Sequence, residues 1–219
     1  MHARAANMNE RPGRWVNKLV RFVRGLDTST AERCELCSEE IAPAHPHLAE
    51  PAKGRLLCAC RSCAMLLGNR EDKRYRLVPE DGQRLDGFHL TDADWEALGI
   101  PIGLAFFFHS TPEGRVIAFY PGPAGPTESL LDLGAWSKIV AGNPVLAGFE
   151  PDVEALLVNR VKGARDHYRM PIDKCYALVG LIRSRWHGIS GGEAVWKAID
   201  SFFADGKNWH GAAGAFRYG

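Results

Sequence analysis

The chain has 219 residues, a formal net charge of +1 and an apolar fraction of 46%. It is long enough for one medium domain or two small ones and apolar enough to bury a core, and its charge gives no overall argument for a nucleic-acid or acidic partner. No run of eighteen apolar residues is present, which argues against a membrane span. No apolar stretch ending in a small-residue cleavage site follows the N-terminus, which argues against an export signal.

Residues 1 to about 12 are small and polar with Gly and Pro, as in a disordered terminus. From Arg14 to Gly25 the pattern is helical: Trp15, Leu19 and Phe22 share one side, and Arg14, Lys18 and Arg21 lie on another. Such a basic amphipathic helix either packs on its own domain or makes a peripheral contact with a membrane surface or an acidic protein. Residues 1–30 are therefore expected to be a flexible N-terminus carrying this helix. Ser29-Thr-Ala-Glu32 has capping-box spacing but runs directly into cysteines.

Five of the six cysteines fall between residues 34 and 63. They read Cys34-Glu-Leu-Cys37 and Cys58-Ala-Cys60-Arg-Ser-Cys63, with His45 and His47 between them. Cys34, Cys37, Cys60 and Cys63 form C-x2-C-x22-C-x2-C, close to the zinc spacing range. In a C-x-x-C knuckle the intervening turn lets two thiolates meet one ion, and two knuckles complete a tetrahedron. The expected module spans residues 31–70, resembles a zinc ribbon or rubredoxin, and is too poor in large apolar residues to fold without its ion. Zinc suits this site, and iron or an iron–sulfur cluster is the alternative, because thiolate spacing does not choose the metal. Clustered cysteines without an export signal imply metal binding in the cytoplasm rather than disulfides.

His45, His47 and Cys58 are left over. His45 and His47 are two residues apart, as are Cys58 and Cys60, and in extended backbone such pairs point the same way. The three can hold a second metal, or add a histidine ligand to a mixed cluster. Alternatively, the histidines are loop residues and Cys58 is a small buried hydrophobe. Cys175 stands apart and reads as a buried structural cysteine, although His167 and His187 flank its helix. Asp173, Arg183, Arg185 and Glu193 read as caps and surface charges. No P-loop, G-x-S-x-G or H-E-x-x-H is present, so no catalytic residue is assigned.

Residues 71–219 are expected to form a mixed α+β domain. Tyr75 to Pro79 reads as a strand. Thr91-Asp-Ala-Asp94 caps a short helix with Trp95 and Leu98, ended by Gly99. Ile102 to His109 and Arg115 to Tyr120, joined by Ser110-Thr-Pro-Glu-Gly114, predict an antiparallel hairpin. Pro121 to Pro126 reads as a loop. A helix is expected from Leu130 to Ala141 with Trp136 buried, and a strand is favoured from Glu154 to Val161. Asp173 to Trp186 predicts a helix facing inward with Tyr176, Val179 and Ile182, and Leu178 is a further candidate for that face. Ser190-Gly-Gly-Glu193 opens a last helix with Val195, Ile199 and Phe202 in a stripe.

The cysteine-rich head is followed by Pro101-Ile-Gly-Leu-Ala-Phe-Phe, Tyr120-Pro-Gly-Pro-Ala-Gly, Glu154-Ala-Leu-Leu-Val-Asn, Pro171-Ile-Asp-Lys-Cys-Tyr and Trp186-His-Gly-Ile-Ser-Gly-Gly. Together these resemble an uncharacterised bacterial family often encoded beside nickel–iron hydrogenase genes. The likeness covers nearly all the chain from about residue 30. It implies an accessory role, in assembly or maturation of the hydrogenase or docking to the enzyme or its electron acceptor, and brings no catalytic residues. The competing expectation is an electron-transfer protein using iron or an iron–sulfur cluster at the same cysteines. A third has less support. The knuckle followed by His-x-His has a superficial likeness to HNH nucleases, but no basic face supports nucleic-acid binding.

Overall fold

The computed structural model describes residues 32–68, 74–122, 124–187 and 191–206. The expected basic helix at Arg14 to Gly25, the cap at Ser29 and most of the charged connector after Gly68 lie outside the described residues, as does Ser190.

The head is built on a hairpin of β1 (His47–Glu50) and β2 (Arg55–Cys58), paired as His47↔Cys58, Leu48↔Leu57, Ala49↔Leu56 and Glu50↔Arg55. Pro51–Lys53 forms a single 3-10 turn with proline at its start, and Gly54 closes it at φ 57°, a left-handed conformation that glycine takes without strain. Helix α1 (Arg61–Gly68) follows, and β3 (Arg76–Leu77) pairs with the free edge of β1. A Cβ on Gly68 would meet Leu77 Cβ at 2.9 Å and Leu48 Cδ2 at 3.1 Å, so glycine is what lets the end of α1 lie against this sheet.

Because directly opposed residues share a face, the hairpin has two distinct sides. Leu48 and Leu57 face a small cluster with Cys34, Ala59, Cys60, Ala64 and Tyr75. Ala49 and Leu56 face the other way and join the main core of the protein. His47 and Cys58 lie on this second face.

The larger part contains, in chain order, β4 (Gln83–Arg84), α2 (Asp92–Ala97), β5 (Leu104–Ser110), β6 (Arg115–Gly122), β7 (Gly125–Ser129), α3 (Leu133–Gly142), β8 (Glu154–Asn159), β9 (Asp166–Pro171), α4 (Ile172–Arg185) and α5 (Gly192–Gly206). The strands form one antiparallel sheet in the order β4-β9-β8-β5-β6-β7. Helices cover both faces, so the central strands alternate between two cores. Phe106, Phe108, Ile117, Phe119, Ala155 and Leu157 pack with Tyr176, Val179 and Ile182 of α4 and Val195, Ile199 and Phe203 of α5. Ala105, Phe107, Ala118, Leu156 and Val158 pack on the opposite side with Trp95, Leu98 and Ile139. Aromatic contacts fix both sides: Phe106 meets Tyr176 edge-on at 5.4 Å, and Phe107 stacks on Trp136 at 5.1 Å.

The mixed α+β class, the antiparallel hairpin of β5 and β6, and the C-terminal helices agree with the sequence expectations. Thr91 makes the expected capping box with Asp94. The expected loop at Pro121 to Pro126 is instead a tight hairpin pairing Pro121 with Pro126 and Gly122 with Gly125. The prolines are tolerated because β7 is an edge strand and Pro121 lies past the last β6 residue paired with β5. The helix expected from Leu130 starts at Leu133, where the Asp132 side chain accepts the Ala135 N–H. In α5 the expected stripe packs on the main core with Phe202 partly buried, and Phe203 beside it is buried.

Candidate metal centre

The first knuckle is a tight reversal closed by an isolated bridge between Arg33 and Glu40. The Cys34 N–H donates to Glu39 O at 2.7 Å, the Ser38 N–H donates to Cys34 O at 2.9 Å, and Ser38 takes φ 65° to complete the turn. Glu35 ties this turn to the end of β2: its N–H donates to Cys58 O at 2.9 Å and its carboxylate accepts the Cys58 N–H at 2.9 Å. The chain then passes through Cys60 into α1, whose first turn carries Cys63, and the Cys63 N–H points at Cys60 Sγ from 3.4 Å.

The result is the tetrad expected from spacing. The sulfurs of Cys34, Cys37, Cys60 and Cys63 all lie within 4.8 Å of one another, and Cys37 Sγ is 3.7 Å from Cys60 Sγ. A zinc tetrahedron with bonds of about 2.3 Å has sulfur–sulfur edges of roughly 3.8 Å, so the donor set fits a single ion. Cys34 and Cys60 are buried, Cys63 is half-buried and Cys37 is exposed, and all four are free thiols.

The electrostatics differ from one sulfur to the next. Burial opposes ionisation of Cys34, but backbone N–H groups of Cys60, Leu36 and Cys37 outweigh it and bring the thiol down to about 6. Burial raises Cys63, and so do its neighbours Cys60, Cys37 and Cys34. Cys60 is also raised: the Cys63 backbone N–H favours its thiolate, but burial and the Glu39 and Cys37 side chains prevail. The backbone thus favours the Cys34 thiolate, while burial and neighbouring side chains oppose ionisation of Cys60 and Cys63.

The leftover residues also converge. Nitrogens of His45 and His47 and the sulfur of Cys58 lie within 4.8 Å of one another. The two imidazoles meet edge-on with centroids 4.8 Å apart. His45 Nδ1 lies 2.8 Å from Ala42 O, and His47 Nδ1 lies 2.9 Å from Asp173 Oδ2. Asp173 is a residue that sequence reasoning treats as a helix cap or surface charge. It does receive the Lys174 N–H on Oδ1 at 2.7 Å, but its other oxygen reaches the head. No local pattern signals a partner so distant in the chain.

Cys175 is fully buried, and burial, followed by the charge of Asp173, pushes its thiol well above the ordinary value. That is the environment of an inert structural cysteine. Arg183, Arg185 and Glu193 are exposed, and Glu193 pairs with Lys197 one turn on.

A family model described as a family of unknown function matches residues 33–209, which takes in both knuckles and all of the described strands and helices. The chain belongs to this family, DUF5947. No curated protein and no solved structure matches the chain. Membership agrees with the resemblance to an uncharacterised family and assigns the DUF5947 chain no reaction. Among the described residues, no helix is long and apolar enough to cross a membrane.

Proposed function

We infer that this protein is a metal-binding accessory protein whose Cys34, Cys37, Cys60 and Cys63 hold one zinc ion as a structural element of a zinc-ribbon-like head. The observation that carries this reading is the mutual approach of the four sulfurs to within 4.8 Å. A structural role is supported by what the sulfurs join. Two come from the turn at Arg33 to Glu40 and two from the β2–α1 junction, and the apolar cluster around them is small. The short sulfur–sulfur distances favour a single ion over an iron–sulfur cluster, which spreads its thiolates over several irons.

The second reading is electron transfer through one iron in the same tetrad. It is favoured by the exposure of Cys37, which would bring the edge of the centre to the surface. Elemental analysis and an optical spectrum of protein purified from its native host without added metal separate the two. A colourless protein with one tightly held zinc at the tetrad supports the structural reading. A coloured protein with thiolate-to-iron bands supports the other.

The partner is proposed to be another protein, and a nickel–iron hydrogenase subunit is the candidate drawn from the resemblance alone. Copurification of a hydrogenase subunit with the tagged full chain tests this. Cytoplasmic location belongs to the same proposal.

A further inference from the structure

We propose that His45, His47 and Cys58 form a second site, separate from the tetrad, that binds a zinc-type divalent cation through two imidazole Nε2 atoms and one thiolate and leaves a fourth position open.

His47 and Cys58 are directly paired across the β1–β2 hairpin and so share a face. It is the face of Ala49 and Leu56, which turn to the main core, and not the face of Leu48 and Leu57, which turn to the tetrad cluster. The hairpin thus divides the metal-ligating residues into two sets. His45, two residues before His47, falls in with the second set, and one ring nitrogen of each histidine and the Cys58 sulfur come within 4.8 Å of one another.

The tautomers favour the same point. His45 Nδ1 donates to the Ala42 carbonyl at 2.8 Å. A backbone carbonyl can only accept, so the proton is on Nδ1 and the lone pair of the neutral ring is on Nε2. His47 Nδ1 faces a carboxylate oxygen of Asp173 at 2.9 Å, which fixes its proton in the same way. A carboxylate or carbonyl behind one ring nitrogen and a metal on the other is the usual setting of a metal-bound histidine.

The independent observation is an unsatisfied atom. The His45 side chain is only 7% exposed, and its Nε2 is buried without a hydrogen-bond partner. A buried acceptor left unpaired is costly, and a cation shared with His47 and Cys58 would satisfy it. Two nitrogens and a sulfur suit zinc, cobalt or nickel better than magnesium or calcium. Three protein ligands leave the fourth tetrahedral position to water or a small anion, the arrangement of exchangeable rather than closed zinc sites. Asp173 acts here as a positioning residue. Because it opens α4, it also fastens the site to the sheet domain.

The test uses the full chain loaded with Zn2+ and, in parallel, with Co2+ as an optical probe. Two equivalents of metal per chain are expected. Cys58→Ala and His45→Ala should each bind one, and the tetrathiolate cobalt spectrum should persist in both, which also shows that the head is folded. Asp173→Asn keeps all three ligands and should weaken binding of the second equivalent about 10–100-fold. Azide should shift the cobalt bands lost in Cys58→Ala and leave the tetrathiolate bands unchanged. A single equivalent in the wild type, two equivalents that survive Cys58→Ala and His45→Ala, or unchanged affinity in Asp173→Asn would overturn the proposal. Loss of the tetrathiolate bands in Cys60→Ser with the second equivalent retained would separate failure of the tetrad from failure of this site.

Discussion

His47 Nδ1 and Asp173 Oδ2 lie 2.9 Å apart although 126 positions separate them in the chain. The contact links the inner face of the head hairpin to the first turn of α4, beside the shared packing of Ala49 and Leu56 with the core residues of the sheet. The head thus packs around its cysteine cluster on one side and against the sheet domain on the other.

This contact predicts a tautomer. A neutral histidine in water favours a proton on Nε2, whereas His45 and His47 are each fixed with the proton on Nδ1. Imidazole 15N shifts of the labelled protein should report the Nδ1–H form for both. An Nε2–H form at either residue would contradict the geometry.

Cys37→Ser and Cys60→Ser should each remove the tetrad's ion. Because Ala49 and Leu56 share the main core, loosening the head should also weaken the rest of the protein. A loss of about 3 kcal/mol would lower Tm by roughly 10 °C in a chain of this size. Calorimetry with parallel metal analysis checks this. Unchanged melting in a metal-depleted variant would mean that the ion is not structural.

Glu50 is only 2% exposed and is met by Lys53 at 2.8 Å and Arg55 at 2.6 Å. Burial alone would raise its carboxyl, but hydrogen bonds from Lys53 and Arg55 prevail and hold it below its ordinary value. The stability it contributes is therefore complete above about pH 4.5 and is lost as pH falls through the lower folded value. Glu50→Gln should cost about 1–2 kcal/mol at pH 7, because its partners can return to water. The cost should shrink in acid denaturation series that reach below the folded value.

His167 offers a pH response of its own. Its side chain is buried against Phe88 and Nε2 lacks a hydrogen-bond partner. Burial first, then the charge of Arg160, lowers it to about 4 from an ordinary 6.5. The unfolded chain takes up this proton near pH 6.5 and the folded protein only near pH 4. Stability from the neutral ring is thus whole above the upper value and drains away between the two as pH falls. The full loss is about 3 kcal/mol. Urea unfolding of wild type and His167→Phe at several pH values should show the wild type falling more steeply across that window. Parallel curves would place His167 in contact with solvent.

The tetrad was legible because each C-x-x-C knuckle is a local signal, and two of them specify a tetrahedron without knowledge of the fold. Helix α4 was legible because Tyr176, Val179 and Ile182 repeat at helical spacing on one buried face. The β1–β2 hairpin was not, because its four-residue strands are too short for alternation to stand out between the knuckles. Strand β9 was hidden for a related reason. Its Tyr168 and Met170 are buried among the helices, but His167 and Arg169 alternate with them and give it the look of a polar loop. Asp173 could not be read at all, since its partner is fixed only when α4 meets the head.

The most direct test of the central claim is the metal content of the full chain and of Cys60→Ser, measured by mass spectrometry on protein purified from the native host without added metal. The wild type should carry tightly bound zinc, and the variant one equivalent fewer. A folded, metal-free wild type, or identical metal content in the two proteins, would contradict it.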